Sequence, residues 1–541
     1  MKIMKTLKSL YILPLALFIS ISCEQELIVL ETPVVEPPPT ESGTKGSGDF
    51  TKFVAIGNSF VAGVQGGALF TTGQNNSLPA IMAKQFAVTG VGGGAFVQPS
   101  INATLGWNLF ITQPILGPDG KTFDPTKPVL GKLLLQGASP KPTPQAYAVG
   151  NFEAVPNPTV NPAFIYTGGK ATLNNFGVSA IRLGQSLITA TGNWANPDPK
   201  VGFSPFYARF APPPGGSTTI IGDAAAAGGS FFMFWLGLDD FFLYAAFGGD
   251  PTIAGPLTPA SGAGAQGFDL QYGGAIGALL GSNPNLKGVV ANFPNIFAMP
   301  HFTSVVYNPI PLDATTAASL TTNLANNYNA FLNGMVGATI ITADEAAKRK
   351  IEYKAGQNTV LMSDETLTDL TPYMAGPYAG LLPYARARQT KSTDILPLAA
   401  GSVIGTVIGG NVSLINGVTV PLADRYVLIP SEITAINEAR IAYNATVKAI
   451  ADANSTRLAF ADIDVALNTL VTNKAAVYNG VTITPNINPP TGIYSEDGVH
   501  PNSRGYAFLS RVFIQAINTK FGSTIPLTDL SKYSATALPI P

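Results

Sequence analysis

Cysteine is nearly absent from this 541-residue chain, Cys23 being the only one. A disulfide within the chain is therefore excluded, and so is a metal site built from several thiolates. Histidine is almost as scarce, with His301 and His500 alone. Charged residues make up only 12%, and Lys+Arg 31 against Asp+Glu 32 leaves a net charge of -1. The basic surface that a nucleic-acid partner requires is missing. Long apolar helices are missing too. Ala224 to Leu238 is almost wholly apolar, but Gly228-Gly229 interrupts it and Asp239-Asp240 ends it. Leu396 to Ala423 carries no charge, yet holds two prolines, several glycines and two asparagines. Neither suits a membrane-spanning helix. What the chain does have is 46% hydrophobic residues, enough for a large core in one big domain or two. Its 56 glycines and 44 prolines predict long, turn-rich connections.

Residues 1–22 carry Lys2, Lys5 and Lys8, then an apolar run from Leu10 to Ile21. This is the pattern of a secretory signal, too short for a stable span. A lone Cys23 directly after such a run resembles the lipobox of bacterial lipoproteins, with Ser20 standing where leucine is preferred. The resemblance implies that Cys23 becomes an acylated N-terminus, anchoring the chain to the cell envelope at the outer membrane. The alternative is an ordinary signal peptide with an incidental cysteine. Residues 23–49 are acidic, then proline-rich from Pro33 to Pro39, then Gly- and Ser-rich from Ser42 to Gly48. Such a stretch buries little and reads as a tether. The folded part is expected to begin near Asp49 and to occupy 50–541.

Phe53-Val54-Ala55-Ile56 is a short apolar run stopping at Gly57, as a buried strand before a turn would. Similar runs recur at Phe231 to Leu236, Val289 to Asn292 and Leu458 to Ile463. Ser431 to Ala453 is the clearest helix, opened by Pro430-Ser431 and carrying Ile433, Ile436, Ile441, Val447 and Ile450. Buried strands alternating with helices predict an α/β layered fold with a mostly parallel sheet. The connections are far longer than ordinary loops, which predicts insertions over about 90–170 and 300–430.

The most informative segment is Asp497-Gly498-Val499-His500-Pro501. A hydrolase that activates a serine needs a histidine base and a carboxylate to orient it, and here the two stand three residues apart. Gly57-Asn58-Ser59-Phe60 ends the first predicted strand, so Ser59 projects at the carboxyl edge of the sheet, where open α/β folds place their sites. No G-x-S-x-G elbow surrounds Ser59. Together these segments resemble the SGNH, or GDSL, hydrolases. Ser59 falls on that family's nucleophile, Asp497 on its orienting carboxylate and His500 on its base. The run from Asp497 to Ala507 is close to the family's last block throughout. The resemblance spans about residues 50–520. It implies a three-layer α/β/α, flavodoxin-like fold with a parallel sheet and large insertions.

Two blocks depart from the family. Asn175-Phe176-Gly177-Val178-Ser179-Ala180 matches the second block, but Ala180 replaces the oxyanion-hole glycine. Since that glycine donates its backbone N–H, alanine supplies the same donor if the turn tolerates a Cβ. Gly237-Leu238-Asp239-Asp240 matches the third block, but Asp239 replaces the asparagine that donates to the oxyanion. An ionised aspartate has no proton to give; a protonated one has. The first block also differs, with Asn58 for aspartate and Phe60 for leucine. The resemblance thus implies an oxyanion hole of Ser59, Ala180 and Asp239.

Other readings stand beside these. Asp497 and His500 can cap a helix and satisfy a turn, and Asp239-Asp240 can cap the helix after a strand. His301, in Met299-Pro300-His301-Phe302, is placed near the same sheet edge and given no role. Gly120-Lys121-Thr122 resembles a P-loop, but Ile115 stands where its first glycine is required. No EF-hand loop or transition-metal cluster is present, and no cofactor is implied. The aromatic run Phe241 to Phe247 and the stretch Leu396 to Ala423 are candidates for an acyl pocket or lid; the second equally suits a hairpin packed on the core. The expected function is a surface-tethered serine esterase or lipase acting on an acyl lipid or acylated glycan. The alternatives are an attenuated member that binds an ester or glycan, and a structural surface lipoprotein.

Overall fold

Five short segments rich in aromatic and small apolar residues build the central sheet. They are β1 (Phe53–Gly57), β2 (Asn175–Gly177), β3 (Phe231–Trp235), β4 (Lys287–Ala291) and β5 (Leu458–Ala461). Every residue of β1 and β3 is buried, as continuous apolar runs require of strands covered on both faces. All pairings are parallel, and the strands lie in the order β2-β1-β3-β4-β5. That is the doubly wound order whose switch point lies between β1 and β3. The computed structural model describes residues 41–108, 126, 130–137, 141–146, 162–198, 202–213, 215–262 and 266–536.

Four of the five strands were expected from their apolar runs. β2 was not, because its three residues include a polar asparagine and a glycine. Asn175 is buried nonetheless, its amide donating to the Val61 carbonyl and its oxygen accepting from the Gly177 N–H. Polar side chains that close their own hydrogen bonds give no apolar signal.

The helices that matter for the site are α1 (Ser59–Ala62), α2 (Leu78–Phe86), α3 (Asp239–Ala246), α4 (Phe268–Ser282), α5 (Pro300–Thr303), α6 (Pro430–Ala453) and α7 (Ser503–Phe521). α7 packs on α2, β4 and β5, while α6 packs on α3, α4, β4 and β5. The arrangement is an α/β fold compatible with three α/β/α layers. The expected helix at Ser431 appears as α6, with Pro430 at its first turn and the Glu432 carboxylate accepting the Ile429 N–H at 2.9 Å. Its buried stripe runs through Ile436, Ala439, Tyr443, Val447 and Ala451. Ile441, expected on that stripe, is 59% exposed. Five residues on from Ile436 puts it well round the helix, whereas Tyr443 returns to the buried face.

The fold starts earlier than expected. Gly43 and Ser47 bond to Thr89 and Phe521 through the backbone, and Gly48 is buried. The Gly/Ser-rich stretch therefore packs on the domain instead of extending the tether, because small residues let the backbone approach closely. Cys23 and the rest of 1–40 lie outside the described residues, as do Ile115 and Gly120-Lys121-Thr122.

The insertion expected at about 300–430 exists between β4 and β5. It has its own apolar clusters, one around Tyr328, Phe331, Leu361 and Leu370, another around Ile310, Val360, Met362 and Leu422. Much of 90–170 lies outside the described residues; what is described includes an antiparallel pair, Leu130–Gln136 with Lys141–Ala146. Among the described residues no helix is long and apolar enough to cross a membrane.

Candidate active site

Ser59 opens α1 directly after β1. The Asn58 side-chain oxygen accepts the Phe60 N–H at 3.1 Å and so starts the helix, leaving the serine at the carboxyl end of the strand. His500 arrives from the other end of the chain, 441 positions away, and its Nε2 lies 2.8 Å from Ser59 Oγ. His500 Nδ1 lies 2.8 Å from Asp497 Oδ2. An ionised carboxylate only accepts, so Nδ1 carries the proton and Nε2 is left to accept from the serine. Ser59, Asp497 and His500 are 3%, 1% and 2% exposed.

The Asp497 loop is over-determined. Its Oδ1 accepts the Val499 and His500 N–H groups at 2.7 Å each, and its Oδ2 also accepts the Gly67 N–H. Burial alone would raise this carboxyl, but the His500 charge, its ring hydrogen bond and these amides hold it below the usual carboxylate range. Gly498, at φ +72, is required by close approach: a Cβ there would sit 2.6 Å from His301 N. That same amide donates to Gly498 O at 3.0 Å. After Pro501, Asn502 accepts the Gly505 N–H and starts α7.

Two residues given no role in the sequence belong here. His301 is buried under the triad, its Nδ1 3.1 Å from the main-chain oxygen of Asp497. Burial lowers its pKa, opposed by Asp497 and assisted by His500, so the ring is held neutral. Its scarcity was the signal available: it is one of two histidines, placed just past a strand end. Gly67 gave no signal, since its role is a backbone N–H reaching across the fold.

Ala180 is on the turn after β2 at φ +51, the left-handed region that glycine usually occupies. The turn thus accepts a Cβ. The Ser59 and Ala180 N–H groups donate to no acceptor among the described residues. Asp239 starts α3 and is 3% exposed. Neither Asp239 nor Asp240 caps the helix from outside; both sit in its first turn, after a helical Leu238. Burial pushes the Asp239 carboxyl up to about 7, against the His500 charge and the neighbouring Asn58 amide, with Asp240 adding to the rise. Asp240, pushed up to about 6 by burial, accepts from Leu183 N–H and Thr258 hydroxyl at 2.8 Å each. It therefore ties the loop after Ala180 to α3.

These groups surround a cavity of about 40 Å³ lined by Ser59, Ala180, Asp239, His500 and an apolar roof of Phe242, Leu243 and Phe247. The aromatic run expected at the acyl pocket thus contributes three of its members. Phe241 packs instead on Phe293 and Tyr443. The stretch Leu396 to Ala423 does not line the cavity. Its hairpin, Val407–Ile408 with Asn411–Ile415, is largely exposed, while Leu396, Ala400, Val418 and Leu422 on either side pack into an apolar cluster of the insertion, so the core-packed reading holds for the flanks and not for the hairpin tip.

Among the described residues, Glu365, Asp424 and Glu432 are a carboxylate group within 4.8 Å that a metal could use. None of them lines the Ser59 cavity. Burial first, then the neighbouring carboxylates, pushes Asp424 up to about 7 and Glu432 to about 8.

No protein-family model, curated protein or solved structure matches the chain. A serine hydroxyl bonded to an imidazole, itself held by a buried carboxylate, is arranged for nucleophilic attack.

Proposed function

We propose that this protein is a serine hydrolase, and more narrowly an ester hydrolase of the SGNH type. The observation that carries the reading is the relay Ser59 Oγ–His500 Nε2–Asp497 Oδ2, with 2.8 Å at each step. Its position at the β1/β3 switch point supports it, as do the unspent amides of Ser59 and Ala180 beside the hydroxyl.

In the reaction, Ser59 Oγ bonds to the ester carbonyl carbon as His500 Nε2 takes its proton. Asp497 holds the imidazole and stabilises the imidazolium. The carbonyl oxygen, now negative, receives the N–H groups of Ser59 and Ala180, and the proton of Asp239 when that group carries one. The C–O bond to the alcohol breaks and His500 gives the leaving oxygen its proton. Water repeats the sequence on the acyl-serine and releases the acid. A cavity of about 40 Å³ under three apolar side chains favours a short acyl group. Lipid attachment at Cys23 would hold the enzyme at the outer membrane.

Fluorophosphonate labelling tests the central claim. The wild-type chain labels, and Ser59→Ala and His500→Ala do not. A folded wild type that resists labelling would favour the attenuated, ester- or glycan-binding alternative, for which Asp239 in the oxyanion position is the supporting observation. Palmitate incorporation lost in Cys23→Ala tests the anchor.

A further inference from the structure

The inserted region carries a surface unlike the rest of the chain. From Ile395 to Ala423 there is no ionisable side chain. Within it, Val407–Ile408 and Asn411–Ile415 pair antiparallel around Gly409 and Gly410. Both glycines have positive φ, +58 and +75, as a two-residue hairpin turn requires. A Cβ added at either would meet nothing within 4 Å, so the tip stands in open space. Val412 is 77% exposed, Val407 45%, Leu414 40% and Ile408 36%. Alternation along the strand puts Val412 and Leu414 on one face. Beside the hairpin lies a groove of about 1110 Å³, lined by Tyr378, Leu381, Val412 and Ile415 together with the buried Leu324 and Phe331. No residue lining it is charged. Tyr373, Tyr378 and Leu382 are also exposed, on the segment that supplies Pro377, Tyr378 and Leu381 to the groove.

We propose that this face docks on the interface of a lipid bilayer, as a contact separate from any lipid at the N-terminus. A contiguous exposed apolar patch marks a partner. Charge selects which one. The face offers no ionic group for a protein partner to pair with. Its mixture of aliphatic tips, tyrosines and the neutral polar Asn411, Ser413 and Thr419 matches the headgroup–hydrocarbon boundary. The unpaired edges of a two-stranded hairpin keep the contact at that boundary, since bare backbone is not tolerated in hydrocarbon. Fully extended, the stretch from Cys23 to Thr40 reaches about 60 Å, so an acylated Cys23 would leave the domain within range of the same bilayer. The docking face needs neither that lipid nor the hydrolase reading.

The test is flotation with phosphatidylcholine vesicles of a chain beginning at Glu24, which lacks signal and lipid. It retains Glu41–Pro541, a compact unit with its own core. The wild type floats with neutral vesicles, and added salt does not release it. Val412→Asp combined with Leu414→Asp lowers partition about tenfold or more, with an unchanged melting temperature. Ile441→Asp, an equally exposed site on α6, binds like wild type. Wild type left with the soluble fraction would overturn the proposal, as would a hairpin variant that floats equally well. Binding only to anionic vesicles, or a hairpin-dependent dimer by sedimentation without vesicle binding, would also overturn it.

Discussion

Asn58 and Asp239 lie side by side next to Ser59, both nearly fully buried, with Asp239 in the wall of its cavity. Each keeps one polar atom, Asn58 Nδ2 and Asp239 Oδ2, without a hydrogen bond of normal geometry. The amide favours the charged carboxylate, but burial outweighs it and leaves Asp239 near the midpoint of its titration at neutral pH. Protonated, it can donate to the oxyanion; ionised, it repels the developing charge. Activity should therefore fall as pH rises through about 7, and Asp239→Asn should remove that fall. One lost oxyanion donor is worth about 10²–10³ in rate, so the gain at alkaline pH should approach that size. An unchanged pH profile in Asp239→Asn would remove Asp239 from the oxyanion hole.

Asp497→Asn should lower kcat by about 10⁴, as the same change does in a known Ser-His-Asp hydrolase. With the amide oxygen kept toward the Val499 and His500 N–H groups, the NH2 would face His500 Nδ1 and the Gly67 N–H, both of which would lose their acceptor. Steady-state kinetics on a short-chain ester, with a melt to monitor folding, reads both effects.

Ala180 pays for a left-handed backbone with a Cβ. That conformation costs an L-residue about 1–2 kcal/mol, against which glycine's greater freedom in the unfolded chain costs about 0.4–1. Ala180→Gly should thus be neutral to about 1 kcal/mol more stable by denaturant unfolding, with labelling by fluorophosphonate retained. Ala180→Val, β-branched at φ +51, should lose stability and labelling together.

Leu243 and Phe247 are half-buried over the serine, so truncation should cost less than the about 3 kcal/mol of a fully buried phenylalanine. Wild type should prefer acetyl over octanoyl esters; Leu243→Ala and Phe247→Ala should shift the optimum to longer chains. An unchanged chain-length profile would mean the acyl group lies elsewhere.

Asp424 and Glu432 predict a pH-dependent stability. Their folded pKa values are raised to about 7 and about 8, so the folded state holds protons that the unfolded state releases near the ordinary carboxylate range. Their contribution is complete below that range and is lost as pH rises through about 7 to 8. The melting temperature should fall across that window. Glu365→Gln, which removes a neighbouring charge from an exposed position, should flatten the fall.

The strands β1, β3, β4 and β5 were legible because burial on both faces leaves an unbroken apolar run. β2 was not, its polar side chains being satisfied internally. The triad residues were legible from their spacing and scarcity, while Gly67 and the place of His301 under Asp497 were invisible, since both act through contacts between distant segments. Ile441 shows the limit of periodicity: an apolar residue at a plausible spacing still ended outside.

Sequence by itself determined which residues can do chemistry here, because only a few side chains can hold or move a proton and this chain has little imidazole to spare. It also determined the α/β layering, through the lengths and periods of its apolar runs. Only the tertiary structure decided that Ser59 meets His500 across 441 positions, that Asp239 is buried deeply enough to push its carboxyl up to about 7, and that the uncharged hairpin faces outward. Those are matters of distance and desolvation, and both are set by which segments the parallel sheet brings to a common edge.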